Sequence, residues 1–277
     1  MTAAANAAVD VNALWDYAHP ALSEQRFRDA LPAASADDRL ILQTQIARSH
    51  GLRGDFDKAR ELLAAIEPQV AGASAEAQVR HALELGRTHA SAAHPPATQT
   101  PEARERARVW FQRALDLAKA ARLDGLAIDA IHMFAVVDTA PADQLTWAQA
   151  ALAVVEASDQ EPARRWEASI RNNIGYALHQ LGRYDEALVA FQRALALRER
   201  GGNAGAIRVA HWMIAWTLRA LGRSDDALAI QLRLERECDA AGEPDEYVYE
   251  ELAELYQARG DAERAQHYAA LHARTKK

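Results

Sequence analysis

Apolar and small residues return at three- and four-residue spacing through residues 169–197, "SIRNNIGYALHQLGRYDEALVAFQRALAL", in two runs separated by Leu181-Gly182-Arg183. That period lines one face of a helix. The stretch predicts a helix over 168–181, a tight turn at Gly182-Arg183 and a second helix over 185–198. Gly182 supplies the left-handed residue on which helices commonly end. Asp185 and Glu186 complement the dipole at the start of the next helix. A near-copy, "LGRSDDALAI", follows at 221–230, with Gly222 placed 40 residues after Gly182.

The same two-helix unit extends along most of the chain, marked by one small residue in each helix. The pairs are Ala47 with Ala59, Gly86 with Ala107, Ala135 with Ala148, Gly175 with Ala187, Ala215 with Ala227, and Ala253 with Ala265. Small side chains there let two helices approach closely. Four residues after each second alanine stands Leu63, Phe111, Leu152, Phe191, Gln231 or Ala269. The last two break the rule of a large apolar filler, so the final units are expected to lean on Ile230 and Tyr268. The second alanines are 48, 41, 39, 40 and 38 residues apart. The longest step holds "SAAHPPATQTPE" (91–102), whose Pro95-Pro96 pair and Ser/Thr content predict an exposed, mobile loop. It is a candidate insertion over a binding face.

Residues 1–37 form a capping segment in this reading, and 38–277 a repeat domain. Pro20 suits the first turn of a helix running to about Ala30. Trp15 and Tyr17 would then fold against the first unit. The polar, basic C-terminus, "DAERAQHYAALHARTKK", would cap the other end.

The unit resembles the tetratricopeptide repeat, whose pattern is W-x2-L-G-x2-Y, then A-x3-F, then P. Ile174-Gly175, Leu178, Ala187 and Phe191 match it, while Arg171 replaces the tryptophan and Glu199 the proline. The family period is about 34 residues, so these are long-helix units. The resemblance implies an all-α fold, a right-handed superhelical solenoid of antiparallel helix pairs with about six repeats. It also implies a concave groove, lined by the first helix of each pair, where ligands bind.

Composition agrees with helices and adds limits. The chain of 277 residues has only 13 Gly and 9 Pro and is rich in alanine. Its formal net charge of −7 weighs against nucleic acid as a partner. One cysteine, Cys238, forms no intrachain disulfide and fits a reducing compartment. The start lacks a signal-peptide pattern, and "LAIDAIHMFAVV" is too short to span a bilayer. A cytoplasmic protein, with no membrane contact, is expected.

The chemistry search returns no enzyme. "GGNAG" (201–205) follows no strand and lacks the lysine and hydroxyl of a phosphate loop. There is no H-E-x-x-H, C-x-x-C or G-x-S-x-G. His81 and His89 are too far apart on one helix to share an ion. No metal or cofactor is expected. His132, His179 and Glu250 are the acid–base candidates an enzyme would have to use.

Positions spaced three and four apart between the small residues would line the groove. The first two units offer Ile41, Thr44 and Arg48, then Arg80, Leu83 and Arg87; the third offers Asp129, His132 and Val136. The fourth offers Ser169, Asn172, Tyr176 and His179, the fifth Val209, Trp212, Trp216 and Arg219, and the sixth Tyr247, Glu250, Glu254 and Gln257. The groove would run from basic through amide and aromatic to acidic. Asn172, Asn173, Tyr176 and His179 would face Trp212, Trp216 and Arg219, unless Tyr176, Trp216 and His211 pack as core. Asparagines in such a place could grip a peptide backbone, and Arg219 a carboxylate bidentately. Members of the family that clamp a C-terminal carboxylate use lysines beside their asparagines, and those lysines are absent here.

The sequence thus favours an adaptor that holds a protein or peptide segment in the groove. A ligand-gated regulator is the alternative, since long-helix units resemble bacterial receptors for short signalling peptides. About 37 residues precede the first unit, too few for a helix-turn-helix domain, so such a regulator would act through a protein partner. Stacking of exposed ends leaves a homodimer open.

Overall fold

Within each of two compact units, each helix packs against the next, as the paired small residues require. The computed structural model describes residues 9–275. Contacts divide the chain into two compact units, Met1–Arg164 (unit 1) and Arg165–Lys277 (unit 2). Unit 1 contains α1 (Val11–Leu14), α2 (Pro20–Ala30), α3 (Ala36–Leu52), α4 (Phe56–Val70), α5 (Ala75–His89), α6 (Pro101–Ala120), α7 (Asp124–Val137), α8 (Pro141–Ala157) and α9 (Glu161–Arg164). Unit 2 contains α10 (Glu167–Gln180), α11 (Tyr184–Gly201), α12 (Ala204–Ala220), α13 (Ser224–Ala241), α14 (Glu246–Ala258) and α15 (Ala262–Thr275). The pairs α3/α4, α5/α6, α7/α8, α10/α11, α12/α13 and α14/α15 are the six expected units. No strand occurs among the described residues.

The two copies of the "LGR" turn are built alike. Gly182 has φ +73° and Gly222 φ +76°, a region open to glycine at little cost. In each, the amide after the glycine reaches five residues back. Arg183 donates to the Leu178 carbonyl and Arg223 to that of Leu218, both at 2.9 Å. These are the bonds of a Schellman ending, and they satisfy carbonyls the helix leaves orphaned.

The small residues do what their spacing predicted. Ala47, Ala59, Ala107, Ala187, Ala215 and Ala227 are all buried. At two crossings the fit is tightest. A Cβ on Gly175 would lie 2.7 Å from the Phe191 ring, and one on Gly86 2.3 Å from the Phe111 ring. The fillers Leu63, Phe111 and Phe191 are fully buried. So is Gln231, where both amide atoms lack a hydrogen-bond partner. Tyr268 is buried nearby in the sequence order of that end of unit 2, stacked on Tyr256 at 5.6 Å.

Before α3, Trp15 stacks on Tyr17 at 4.7 Å, meets Phe27 edge-on at 5.0 Å and donates its indole N–H to Gln45 at 3.0 Å. The described part of the segment before Asp38 therefore packs on α3 within unit 1. The 91–102 loop departs from expectation. Most of it is exposed, but His94 is buried and stacks on Phe56 of α4, centroids 3.6 Å apart. Ser91 and the Thr88 carbonyl hold the His94 ring, and Gln99 donates to the His94 carbonyl at 3.0 Å. The loop is fastened to a second helix rather than hung over the first-helix face. Cys238 is buried.

Candidate functional site

The first helices of the two units carry different chemistry, so each is built separately. In unit 1 the expected basic stretch is neutralised from within. Arg87 of α5 bonds Glu84, three residues back, at 2.6 Å and Asp129 of α7 at 2.5 Å. Arg48 of α3 reaches Glu84 at 3.4 Å and Asp129 at 3.8 Å. The Arg48 guanidinium also lies 5.7 Å from the ring centroids of Trp15 and Tyr17. Burial alone would raise the Asp129 pKa, but the Arg87 and Arg48 charges outweigh it and hold it at about 2. The same carboxylates raise Arg87 against its burial. His132, the one candidate in unit 1, sits beside this cluster. Burial lowers its pKa, the Asp129 charge opposes that, and the two arginines add to it. Ile41, Thr44 and Leu83, expected on the groove, are buried in the packing instead. The expected basic end is corrected accordingly: Glu84, which the sequence reading passed over, turns two arginines into a closed network.

Unit 2 holds the other nine candidates, and four of them, Tyr176, His179, Trp212 and Trp216, join in one chain of ring contacts. His179 stacks on Trp216 with centroids 3.3 Å apart and planes 16° from parallel. Tyr176, one turn earlier on α10, stacks on Trp216 at 5.9 Å. Trp212, one turn before Trp216 on α12, stacks on it at 5.7 Å. Trp212 continues to Tyr247 of α14, edge-on at 6.1 Å, and its indole N–H donates to the Tyr247 carbonyl at 3.0 Å. The result is an aromatic ladder across three consecutive first helices. Tyr176 is 43% exposed and Tyr247 57%, while Trp212 and Trp216 are half-buried. Tyr247, the outer rung, was read from the sequence as groove-lining but not counted among the binding candidates.

The polar candidates frame the ladder. Arg219 does not await a ligand carboxylate, because Glu251 already takes it with two bonds, at 2.8 and 2.7 Å. Glu251 is buried, and this fork is what makes its burial tolerable. Hydrogen bonding to Glu251 raises the Arg219 pKa, with Glu254 and Glu250 adding to that by charge. Burial and the Arg219 charge press His179 down to about 4, with a backbone hydrogen bond at Trp216 working the other way. His179 is therefore neutral at pH 7, and its Nε2 is buried without a partner. Asn172 is half-buried, and its Oδ1 is turned inward where no donor meets it. Asn173, beside it, is also half-buried and makes contacts of its own. Glu250 and Glu254 are exposed.

Tyr176 and Tyr247 are the large rings this surface leaves exposed. Glu251 is the residue the sequence reading missed, and its pairing spans 32 residues along the chain. Among the described residues no group of three or more His, Cys, Asp or Glu is arranged to hold a metal ion. No helix among them is long and apolar enough to cross a membrane.

Comparison with known proteins agrees with the repeat. The tetratricopeptide repeat family model matches residues 166–235, the α10–α13 segment of unit 2. No curated protein sequence matches the chain. Among solved structures, a STAND signal-transduction ATPase with a tetratricopeptide repeat sensor, from Pyrococcus horikoshii, superimposes with a TM-score of 0.66 at 12% identity. The match covers 92% of this chain and 39% of that one, so the chain spans about two fifths of that protein's length. The apo form of RapI gives 0.66 at 12% identity, over 93% of this chain and 73% of its own. NprR in complex with its cognate peptide NprX gives 0.55 at 13%, over 95% and 75%. At such identities the likeness is one of fold. A tetratricopeptide repeat match thus covers residues 166–235, and the chain is similar in fold to solved structures of proteins with such repeats.

Proposed function

We propose that this chain is a protein- or peptide-binding module that takes its partner on the first-helix face of unit 2. The observation that carries the reading is the ladder of Tyr176, Trp216, Trp212 and Tyr247, whose outer rings are open to solvent. Large aromatics are costly to leave wet and are the side chains on which interfaces concentrate binding energy. Here the Tyr247 carbonyl holds Trp212 and the His179 ring stacks on Trp216 before any partner arrives, which lowers the ordering cost of association. The fold accommodates such use, since NprR was captured with its cognate peptide.

A random peptide library selected on the immobilised chain tests this. Selected peptides should perturb tryptophan fluorescence and lose at least about tenfold in affinity to Tyr176→Ala and to Trp212→Ala, a loss typical of an interface anchor. Selected peptides that bind both variants as well as the parent would place the partner on another surface.

A further inference from the structure

The ladder ends on α14 beside two carboxylates, Glu250 and Glu254, that form no ion pair among the described residues. Tyr247, Glu250 and Glu254 follow one another at about one turn along α14, and all three are exposed. Between them, Glu251 points inward to Arg219. The arginines of this face are engaged elsewhere. Arg219 pairs with Glu251, Arg208 with Glu243 at 2.5 Å, and Arg171 with Glu167 at 2.7 Å. No ion pair reaches Glu250 or Glu254 among the described residues. Both lie close enough to Arg219 to bias its charge. The exposed end of the ladder is thus an aromatic edge with two uncompensated negative charges, on a chain whose formal net charge is −7.

This narrows what can sit there. An acidic segment would meet like charge as it left water. A purely apolar one would cover the rings but strip water from the carboxylates without replacing it. A cationic side chain answers both surfaces, because an aromatic face attracts a cation within about 6 Å of its centroid and the carboxylates supply the counter-charge. We infer that the partner is an extended peptide bearing a Lys or Arg side chain that seats at Tyr247 and Trp212 against Glu250 and Glu254, with apolar residues running back along Trp216 to Tyr176. The inference rests on the binding face proposed above and adds the charge of its ligand.

Three fluorescein-labelled nonapeptides of the same length decide it, with leucine alternating with lysine, glutamine or glutamate. Anisotropy titrations should give a Lys peptide that binds at least about tenfold more tightly than the Gln peptide, with the Glu peptide weakest. Its advantage should shrink as salt screens the carboxylates. Glu250→Gln with Glu254→Gln should bring the Lys peptide down to the level of the Gln peptide. Both positions are exposed, so an unchanged melting curve verifies the fold. Gln or Glu peptides that bind as tightly as Lys, yet are lost in Tyr176→Ala, would overturn the cationic ligand while keeping the face. A Lys preference that survives the double substitution would overturn it too. Binding by none of the three, or binding indifferent to Tyr176→Ala, would sink both readings.

Discussion

The first helices of unit 1 and unit 2 start from the same repeat and put opposite things on the same face. In unit 1 the polar side chains of α3, α5 and α7 satisfy one another. Arg48, Glu84, Arg87 and Asp129 form a network whose members are mostly buried. In unit 2 the arginines are paired too, Arg219 with Glu251, Arg208 with Glu243 and Arg171 with Glu167, but the face also shows rings and two carboxylates, Glu250 and Glu254, that form no ion pair among the described residues. Polar residues on a repeat's inner face therefore do not by themselves mark a binding site. What matters is whether their partners come from within the fold. Where they do, the face is structure; where they do not, it is available.

That contrast can be broken most sharply in unit 1. Arg87→Ala leaves Asp129 and Glu84 buried beside a single distant arginine, and should cost about 3–5 kcal/mol in urea denaturation, as removal of one partner of a buried pair does. A loss below about 1 kcal/mol, the size of an exposed pair, would mean the network is not structural. In unit 2 the effect to follow is pH. The folded chain holds His179 at about 4, while the unfolded chain titrates near 6.5. As pH falls through that window the unfolded state takes up a proton that the folded state refuses. The stability His179 contributes is thus full above about 6.5 and lost as pH approaches 4. His179→Phe keeps the stack on Trp216 and should flatten the decline in urea-denaturation stability measured across that pH range. An unchanged slope in that variant would deny His179 the role. The smallest effect is expected at Tyr176→Ala, within about 0.5 kcal/mol of the parent on melting, because that ring is exposed and packs on one side only. A large loss there would make the ladder a core element and weaken its reading as a docking surface.

Much of this was legible in the sequence because it is local. Gly182, Ala187 and Phe191 announce a turn, a crossing and a filler within ten residues, and the structure has all three in place. The helix over 167–180 lies within one residue of its expected bounds. Tyr176, His179, Trp212 and Trp216 could be gathered because helical spacing puts them on one stripe. What escaped is set by distant partners. Nothing near Arg219 announces that Glu251 will occupy it, or that His94 will find Phe56. Glu84 is the exception: three residues before Arg87, it could have been paired by spacing alone, and with Asp129 it cancels the positive charge expected for that face.

One detail of the crossings reaches beyond packing. Glycine stands on the first helix at the two crossings where the second helix brings phenylalanine, Gly86 with Phe111 and Gly175 with Phe191. Where the first helix has alanine, as at Ala47, Ala135 and Ala215, the filler is Leu63, Leu152 or Gln231. The turns at Gly182 and Gly222 are interchangeable, but the crossings are keyed by a single methyl group. A helix exchanged between a glycine repeat and an alanine repeat would carry the wrong key, so recombination can swap helices only between repeats of the same kind.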